Sequence, residues 1–316
     1  MPSQSNTPFV TVVGGANIDI HGRSAEPLRA NDSNPGTVHV SAGGVARNVA
    51  ENLARLGVDC RLITAVGDDH HGRTLLQMCR EAGIDVQNVH ECSALPTSTY
   101  LSVIDSSGDM NVAINDMSII DRLTPEHLLP HEAVLRSSSL IVMDANLPAE
   151  TLAWLAEKFA ERPLFVDTVS AAKASRIRSC LSSIHTLKTS AIEAEALTGL
   201  DASTEPRLQK IAAELHAAGI ERVFVTRGSR GVFYSTPEDQ GVMKPEEQDR
   251  DVRNAGGAGD AFLAGLAYAW LDDRNLDETL HFALTAAHLT LSDMSTSSPT
   301  LSLAAVNEAM EARNAD

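Results

Sequence analysis

The chain has 316 residues and a formal net charge of −17, from 42 acidic and 25 basic residues. A field of that sign repels polyanions, which argues against nucleic acid and acidic membranes as partners, although local amides or a metal ion can still hold a small anion. The N-terminus lacks a signal pattern, the longest apolar run is too short for a membrane span, and the four cysteines show no C-x-x-C spacing, so we expect a cytoplasmic protein with reduced thiols.

Predicted strands and helices alternate along most of the chain. The β-branched run that starts at Phe9 predicts a buried strand, and the helical spacing of Val49, Leu53 and Leu56 predicts a helix. Further strands are predicted at 60–66, 140–143, 164–166, 222–226 and 232–234, and further helices at 72–82, 149–160, 191–197 and 208–218. Such alternation indicates an α/β fold with a mainly parallel sheet covered by helices, in one domain over the whole chain.

Two segments interrupt this alternation. Residues 37–41 and 98–114 have the pattern of extended, antiparallel strands, and residues 106–109 predict a hairpin turn within the second segment. We expect these strands to form a small sheet that stands off the main domain. A mobile lid is the functional interpretation of such a sheet, and a decorative extension is the alternative.

A glycine-rich turn precedes the last helical third of the chain. Gly256, Gly257 and Gly259 lie just ahead of a run of helix formers, and Asp260 stands where that run begins. Missing side chains would let a phosphate approach the unpaired amides of the helix N-terminus. A carboxylate at that point could accept a proton from an attacking hydroxyl, so the pattern indicates phosphoryl transfer. The alternative is an ordinary glycine turn with Asp260 as a helix cap.

In the first part of the chain, two pairs of glycines are each followed by polar side chains. One pair ends the first predicted strand and is followed by Asn17 and Asp19, and a second pair, Gly43 and Gly44, opens a helix that carries Asn48. Ligands of parallel sheets bind beyond the carboxyl ends of the strands, and these side chains suit hydroxyl groups. The G-x-x-x-x-G-K-[ST] phosphate loop is absent, so binding of a polyol fits better than binding of a phosphate. Turn formation and capping are the alternatives.

Two weaker patterns follow. Thr226, Gly228 and Gly231 join two predicted strands, where they could line a nucleotide site or form a simple hairpin turn. Glu193 and Glu195 lie just past a strand end, where a carboxylate can hold Mg²⁺ through water. Surface helix charge is the alternative for at least one of the two.

Residues 42–48 read A-G-G-V-A-R-N, with Gly57 and Gly67 following, and residues 257–267 read G-A-G-D-A-F-L-A-G-L-A. Together they resemble the two signatures of the ribokinase-like, or PfkB, carbohydrate kinase family, and the resemblance runs from about Phe9 to the C-terminal helix. It implies a ribokinase-like fold: a doubly wound, mainly parallel sheet flanked by helices, with a small β-sheet lid formed by residues of about 20–41 and 97–117.

Several segments look more specifically like the bacterial pseudouridine kinase branch of this family. They are residues 32–36, 43–50, 113–117, 165–167 with 169–171, and 184–188. That branch transfers the γ-phosphate of ATP to the 5′-hydroxyl of pseudouridine. These segments bear on the substrate, so we expect a pseudouridine 5′-kinase.

The resemblance implies a role for each residue that matches a family position. It implies that Asp260 is the catalytic base and that the anion hole is formed by Gly257, Ala258 and Gly259. It implies a ribose-binding set of Asn17, Asp19, Gly43, Gly44 and Asn48, with Asn115 and Asp116 reading the base. It also implies a nucleotide loop with Thr226, Gly228 and Gly231, and a magnesium motif with Glu193.

The sequence departs from the family pattern at two places. The family's N-x-x-E magnesium motif has Ser190 in place of its asparagine, which weakens the case for Mg²⁺ at Glu193. The usual D-T-x-G-A-G-D segment has Asn254 and Gly256 where the family has a carboxylate and a side chain. ATP and Mg²⁺ are the implied cofactors. Family members often bind K⁺ near this loop, and the missing carboxylate weakens the expectation of a strong K⁺ requirement.

Alternative functions stay open at this point. The nearest is a kinase of the same fold that acts on ribose, another nucleoside or a sugar phosphate, although Asn115 and Asp116 in the lid segment favour a neutral substrate. An inactive ligand-binding regulator is a second alternative. A dehydrogenase is disfavoured because G-x-G-x-x-G is missing after the first strand. The resemblance also allows a homodimer through the lid.

Overall fold

The computed structural model describes residues 8–244, 256–291 and 296–314. Its strands within these ranges are, in chain order, β1 (Phe9–Val13), β2 (Asn17–Ser24), β3 (Gly36–Gly43), β4 (Asp59–Ile63), β5 (Ala65–Gly67), β6 (His90–Cys92), β7 (Thr99–Ile104), β8 (Met110–Asp116), β9 (Leu140–Asp144), β10 (Leu164–Asp167), β11 (Thr186–Ser190), β12 (Arg222–Thr226), β13 (Val232–Ser235) and β14 (Gln240–Met243). Asn254 lies outside the described residues.

The α-helices within these ranges are α1 (Val45–Arg55), α2 (His70–Glu81), α3 (Pro125–Leu128), α4 (Glu132–Ser137), α5 (Ala149–Lys158), α6 (Ala171–Ala174), α7 (Ala191–Thr198), α8 (Glu205–Ala217), α9 (Ala258–Leu271), α10 (Leu276–Thr290) and α11 (Leu303–Asn314). In the described part of the chain, no helix combines the length and the apolar character that crossing a membrane requires.

The main sheet has eight strands in the order β14-β13-β12-β11-β10-β9-β1-β4. The pairs from β4 to β12 are parallel, and β13 and β14 extend the sheet antiparallel at one edge. Because β1, β9, β10 and β11 are parallel, their carboxyl ends meet along one edge of the sheet, which is where ligands of such sheets bind.

Apolar side chains cover both faces of the main sheet. On one face, Leu53 of α1, Phe262 of α9 and Leu280 of α10 belong to a single buried cluster. On the other face, Leu155 of α5 and Ile211 of α8 belong to a second cluster. Helices therefore pack on both sides, and the predicted doubly wound α/β fold is confirmed.

A separate four-stranded sheet has the order β3-β2-β7-β8. It contains the extended segments predicted at 37–41 and 98–114. The pairs β2–β3 and β7–β8 are antiparallel as predicted, whereas β2 and β7 pair in parallel. Strand β2 itself is not predicted by the sequence, because its alternation of polar and apolar residues follows a diglycine that suggests a loop.

Candidate active site

A cleft of about 1180 Å³ lies between the four-stranded sheet and the carboxyl edge of the main sheet. The four-stranded sheet contributes one wall through side chains that share its inner face, among them Asp19, His21, Tyr100, Ser102 and Asn115. The main domain contributes the other wall, with Asn48, Asn146, Val169, Lys173 and Asp260. Most of the side chains predicted to bind substrate thus lie around one cavity.

Asp260 is buried in the first turn of α9. The side-chain amide of Asn48 donates a hydrogen bond of 2.8 Å to its Oδ2 atom. Burial raises the pKa of Asp260 to about 8; the carboxylates of Asp167 and Asp144 add to this rise, while Lys188 and Asn48 oppose it. A carboxyl group with such a pKa can hold and release a proton near neutral pH, as a general base must.

The glycines before Asp260 are required by close contacts. A Cβ atom at Gly257 would overlap the backbone carbonyl of Thr296, and a Cβ atom at Gly259 would lie 2.7 Å from Nζ of Lys188. The first turn of α9 therefore lies directly beside a buried ammonium group. Helix N-termini and cations both attract anions, so this point is suited to a phosphoryl group.

Lys188 is a functional candidate that sequence reasoning missed. It lies in β11, buried, and its Nζ atom donates to Oδ2 of Asp167 at 2.9 Å. Burial favours the neutral amine, but Asp167, Glu193 and Asp260 outweigh it and hold the pKa of Lys188 above its usual range. The available signal was a lysine inside a strand that otherwise predicts burial, because lysine is almost never buried without a partner.

The predicted polyol-binding residues form a compact group. Nδ2 of Asn17 donates to Oδ1 of Asp19 at 2.6 Å, and a Cβ atom at Gly43 would overlap the Asp19 carboxylate. Burial raises the pKa of Asp19. Both side chains line the cleft together with Gly44 and Asn48. The group offers several donors and acceptors for hydroxyl groups.

A second residue that the sequence analysis missed, Asp144, connects the segments that carry this group. Its Oδ2 atom accepts hydrogen bonds from the backbone N–H groups of Gly15 at 3.0 Å and Ala46 at 2.8 Å. Its Oδ1 atom accepts from the backbone N–H of Asn146 at 2.8 Å. Asp144 is buried at the end of β9, and burial raises its pKa. One carboxylate thus joins the end of β1, the start of α1 and the loop after β9.

The two predicted base-reading residues point apart. Asn115 pairs with Tyr100 on the inner face of the sheet and lines the cleft. Asp116 is its neighbour on an extended strand, so it belongs to the opposite face. Its Oδ1 atom accepts hydrogen bonds from the backbone N–H and the hydroxyl of Ser118. The structure therefore places Asp116 at a turn outside the cleft.

The predicted nucleotide loop lies at the same edge of the main sheet. Thr226 ends β12 and pairs with Ser190 at the end of β11. Gly228 and Gly231 have φ angles of 59° and 84° in the turn to β13. A hairpin turn is thus present here, and these three residues lie beside the cleft rather than among the described residues that line it.

Glu193 and Ser190 form a reciprocal cap at the start of α7. The backbone N–H of Ser190 and the hydroxyl of Thr168 donate to Oε2 of Glu193 at 2.9 and 2.5 Å, and Ser190 Oγ accepts from the backbone of Glu193. Ser190 thus has a defined structural role at the position of the family asparagine. Glu195 accepts from the backbone N–H of Ala202, which accounts for its carboxylate as a loop contact.

Comparisons with known proteins agree with this fold. The family model described as pfkB family carbohydrate kinase matches residues 7–303. A pseudouridine kinase of Escherichia coli K12 is 41% identical, over 96% of each chain. A carbohydrate kinase from Agrobacterium tumefaciens has a TM-score of 0.84 at 29% identity over 96% of each chain. A ribokinase from Arabidopsis thaliana, solved with ribose and ATP, shares the fold with a TM-score of 0.85 at 22% identity, over 96% of this chain and 98% of that one.

The chain therefore belongs to the PfkB family of carbohydrate kinases. It is a phosphotransferase that uses ATP and acts on an alcohol group of a sugar or nucleoside.

Replacing Asp144 by asparagine tests the role of its carboxylate. We expect Asp144→Asn to lower the free energy of unfolding by about 2–4 kcal/mol, because the amide nitrogen faces backbone donors and leaves buried N–H groups unsatisfied. Urea denaturation measures this change.

Asp105 provides a matched control for this experiment. It also accepts three backbone hydrogen bonds, from Ser107, Gly108 and Asp109, but at an exposed turn. We expect Asp105→Asn to cost less than about 1 kcal/mol, because all three N–H groups donate to Oδ1, an oxygen that the amide keeps, and because water reaches this exposed turn. Equal losses in the two variants would contradict the connecting role of Asp144.

Proposed function

We propose that this protein is a Mg-ATP-dependent kinase that phosphorylates the 5′-hydroxyl of pseudouridine. The observation that carries the reaction is the buried Asp260 carboxyl group, which lines the substrate cleft next to the glycine turn and Lys188. The substrate is supported by the segments that resemble pseudouridine kinases and by the 41% identity with the Escherichia coli enzyme of that name.

Asp260 acts as the base in the proposed reaction. It accepts the proton of the 5′-hydroxyl as that oxygen forms its bond to the γ-phosphorus, and the bond from the γ-phosphorus to the bridging oxygen of ADP breaks. The amides of residues 257–259 and the ammonium of Lys188 stabilise the charge on the transferred group.

Magnesium fits the charge of this region. Asp167 bonds the ammonium group of Lys188, and Glu193 and Asp260 also raise the pKa of that lysine, so carboxylates outnumber it, and oxygen ligands are those that Mg²⁺ prefers. Glu193 would hold the ion through water, and the ion would neutralise the ATP phosphates. Within the cap, Oε2 of Glu193 is bonded to Ser190 and Thr168, so Oε1 is the oxygen left for this role.

The remaining predicted residues receive roles by their place in the cleft. Asn17, Asp19 and Asn48, beside Gly43 and Gly44, bind the ribose hydroxyls. The four-stranded sheet serves as the lid: its inner face lines the cleft, and closure over the nucleoside excludes water that would hydrolyse ATP. Thr226, Gly228 and Gly231 contact the nucleotide.

Replacing Asp260 by asparagine tests the proposed base. General-base catalysis contributes about 10²–10⁴-fold, so we expect Asp260→Asn to lower kcat by that factor with the KM for ATP nearly unchanged. In the parent enzyme, kcat/KM should rise with pH up to about 8, as Asp260 loses its proton. A coupled assay of ADP release from pH 5 to 9 measures both effects. Near-normal turnover in the variant would remove Asp260 from the mechanism.

The same variant is expected to be more stable than the parent at high pH. The pKa of Asp260 is higher in the folded than in the unfolded chain, so folding loses stability as the pH rises from about 4 to about 8. An amide at this position does not ionise, so the variant avoids this loss. Thermal unfolding at pH 5 and pH 8 should give a difference between variant and parent that grows with pH.

A substrate panel tests the proposed substrate. We expect the highest kcat/KM for pseudouridine among pseudouridine, uridine, guanosine, ribose and ribose 5-phosphate, measured by ADP release. Ribose 5-phosphate is included because Arg23 and His39 line the cleft beside His21. The inner face of the sheet is therefore more basic than Asn115 alone suggests, and basic side chains suit a phosphate. A preference for ribose or the sugar phosphate would reject pseudouridine as the substrate.

We further propose that the enzyme is a homodimer through the outer face of the four-stranded sheet. Val38, Val40, Leu101, Val112 and Ile114 are 72, 50, 40, 51 and 64% exposed. The strand register places all five on the face opposite the cleft, in two rows across the sheet. An apolar patch of this kind typically marks an interface.

Light scattering after size exclusion tests this interface. We expect the parent chain to be a dimer and Val40→Lys to be a monomer, because the new charge would be buried without a partner. Leu129→Lys is the control, since Leu129 is an exposed apolar residue away from this face. A monomeric parent chain, or a dimeric Val40→Lys variant, would contradict the proposed interface.

A further inference from the structure

A lysine on the main-domain wall of the cleft has no role in the mechanism above. Lys173 lies in α6, and its Nζ atom donates a hydrogen bond of 2.6 Å to Oδ1 of Asn146. Both residues line the cleft. Lys173 follows the buried strand β10 by six residues and lies two residues past the segment 169–171 that resembles pseudouridine kinases.

Asn146 is held firmly enough to orient this lysine. Its backbone N–H donates to Oδ1 of Asp144, and its carbonyl accepts from Nη1 of Arg176 at 2.7 Å. The side-chain amide of Asn146 is oriented as well. Its Oδ1 atom accepts the hydrogen bond from Lys173, and its Nδ2 atom lies against Gly15, in the space that a Cβ atom of that residue would occupy. Groups fixed in this way are typical of specificity sites, where orientation must be set before the ligand binds.

The backbone between β10 and α6 is strained next to Lys173. Val169 has a φ of 65°, and its N–H donates to Oδ1 of Asp167 at 2.7 Å. For a β-branched residue this conformation is a genuine outlier, and such strain persists where the surroundings enforce it, commonly at ligand sites. Val169 itself lines the cleft. The strained turn thus directs this segment into the binding cavity.

The chemistry of Lys173 fits a ligand group with an exposed hydrogen-bond acceptor. An ammonium has three donors, and Asn146 takes only one of them. The hydroxyl-binding side chains Asn17, Asp19 and Asn48 belong to other segments, around β2 and α1. A nucleoside carries, beyond its sugar, a base whose strongest acceptors are carbonyl oxygens, and a free sugar lacks such carbonyl groups.

Given the proposed nucleoside substrate, we propose that Lys173, oriented by Asn146, donates a hydrogen bond to a carbonyl oxygen of the pyrimidine base. It thereby makes the cleft select a nucleoside over the free sugar. Lys173 is a specificity residue in this role, and its loss acts on the binding of the base.

The variant Lys173→Met tests this role when its loss of activity on pseudouridine is compared with its loss on ribose. We expect kcat/KM for pseudouridine to fall about 10- to 100-fold, mainly through KM, because a hydrogen bond from a charged donor is lost. With ribose we expect less than about a threefold change, since ribose has no base carbonyl to lose. Lys158→Met is the control: Lys158 pairs with Glu132 on α4, away from the cleft, and should alter neither substrate.

A substrate analogue tests the same contact on the unaltered protein. In a C-riboside with phenyl in place of the pyrimidine, the carbonyl oxygens are missing. We expect the parent enzyme to use this compound about 10- to 100-fold less well than pseudouridine, and Lys173→Met to use it as well as the parent does. Because the parent enzyme is compared on two compounds, this measurement can refute the proposal even when the Lys173→Met variant does not fold.

The outcomes separate this proposal from the proposed function. A parent enzyme that prefers another pyrimidine nucleoside rejects pseudouridine, and the Lys173 ratio is then measured with that nucleoside. A parent enzyme that uses only ribose overturns both. The remaining case is a parent enzyme that is active on pseudouridine and a Lys173→Met variant that loses activity equally on pseudouridine and ribose, or on neither substrate. Either outcome overturns only the role of Lys173 and leaves this residue as a partner for the charge of Asp144.

Discussion

The hydrogen bonds that Asp144 accepts connect three segments that border the cleft and are remote in sequence. They are the turn after β1, the start of α1 and the loop after β9, and each segment gives a backbone N–H to this one buried carboxylate. Burying a carboxylate is costly unless its oxygens are hydrogen-bonded, and here three donors offset that cost. The same contact therefore sets the distance between the polyol-binding group after β1 and the wall that carries Asn146.

The end of the cleft at Asp260 contains an electrostatic conflict. Burial is the main cause that hinders ionisation of Asp260, the carboxylates of Asp167 and Asp144 add to it, and Lys188 and Asn48 only partly oppose it. A protein selected for stability alone would place an apolar or amide side chain at such a position. Retaining a carboxyl group there makes sense for a catalyst, because the destabilised anion is a stronger base for a substrate proton.

The sequence predicted most of this molecule where a local pattern carries the information. Apolar periodicity located the strands of the main sheet other than β11 and β14, and the glycine turn indicated Asp260, which the structure places in the cleft. The sequence analysis missed Asp144 and Lys188, because the importance of both residues comes from partners that are distant in the chain. Asp116 was misplaced for a geometric reason: neighbours on a strand face opposite sides, and the sequence does not say which of Asn115 and Asp116 faces the ligand.

The parallel pairing of β2 with β7 has a consequence for how the protein folds. The first strand ends at Ser24 and the second begins at Thr99, and the intervening chain includes β3 of the same sheet and α1, β4 and α2 of the main domain. Closing so long a loop is slow and has little to stabilise it until that chain is ordered. The four-stranded sheet cannot assemble as an autonomous hairpin. The pairing of β2 with β7 therefore forms only once the chain between them is ordered, and the cleft gains this wall at that point.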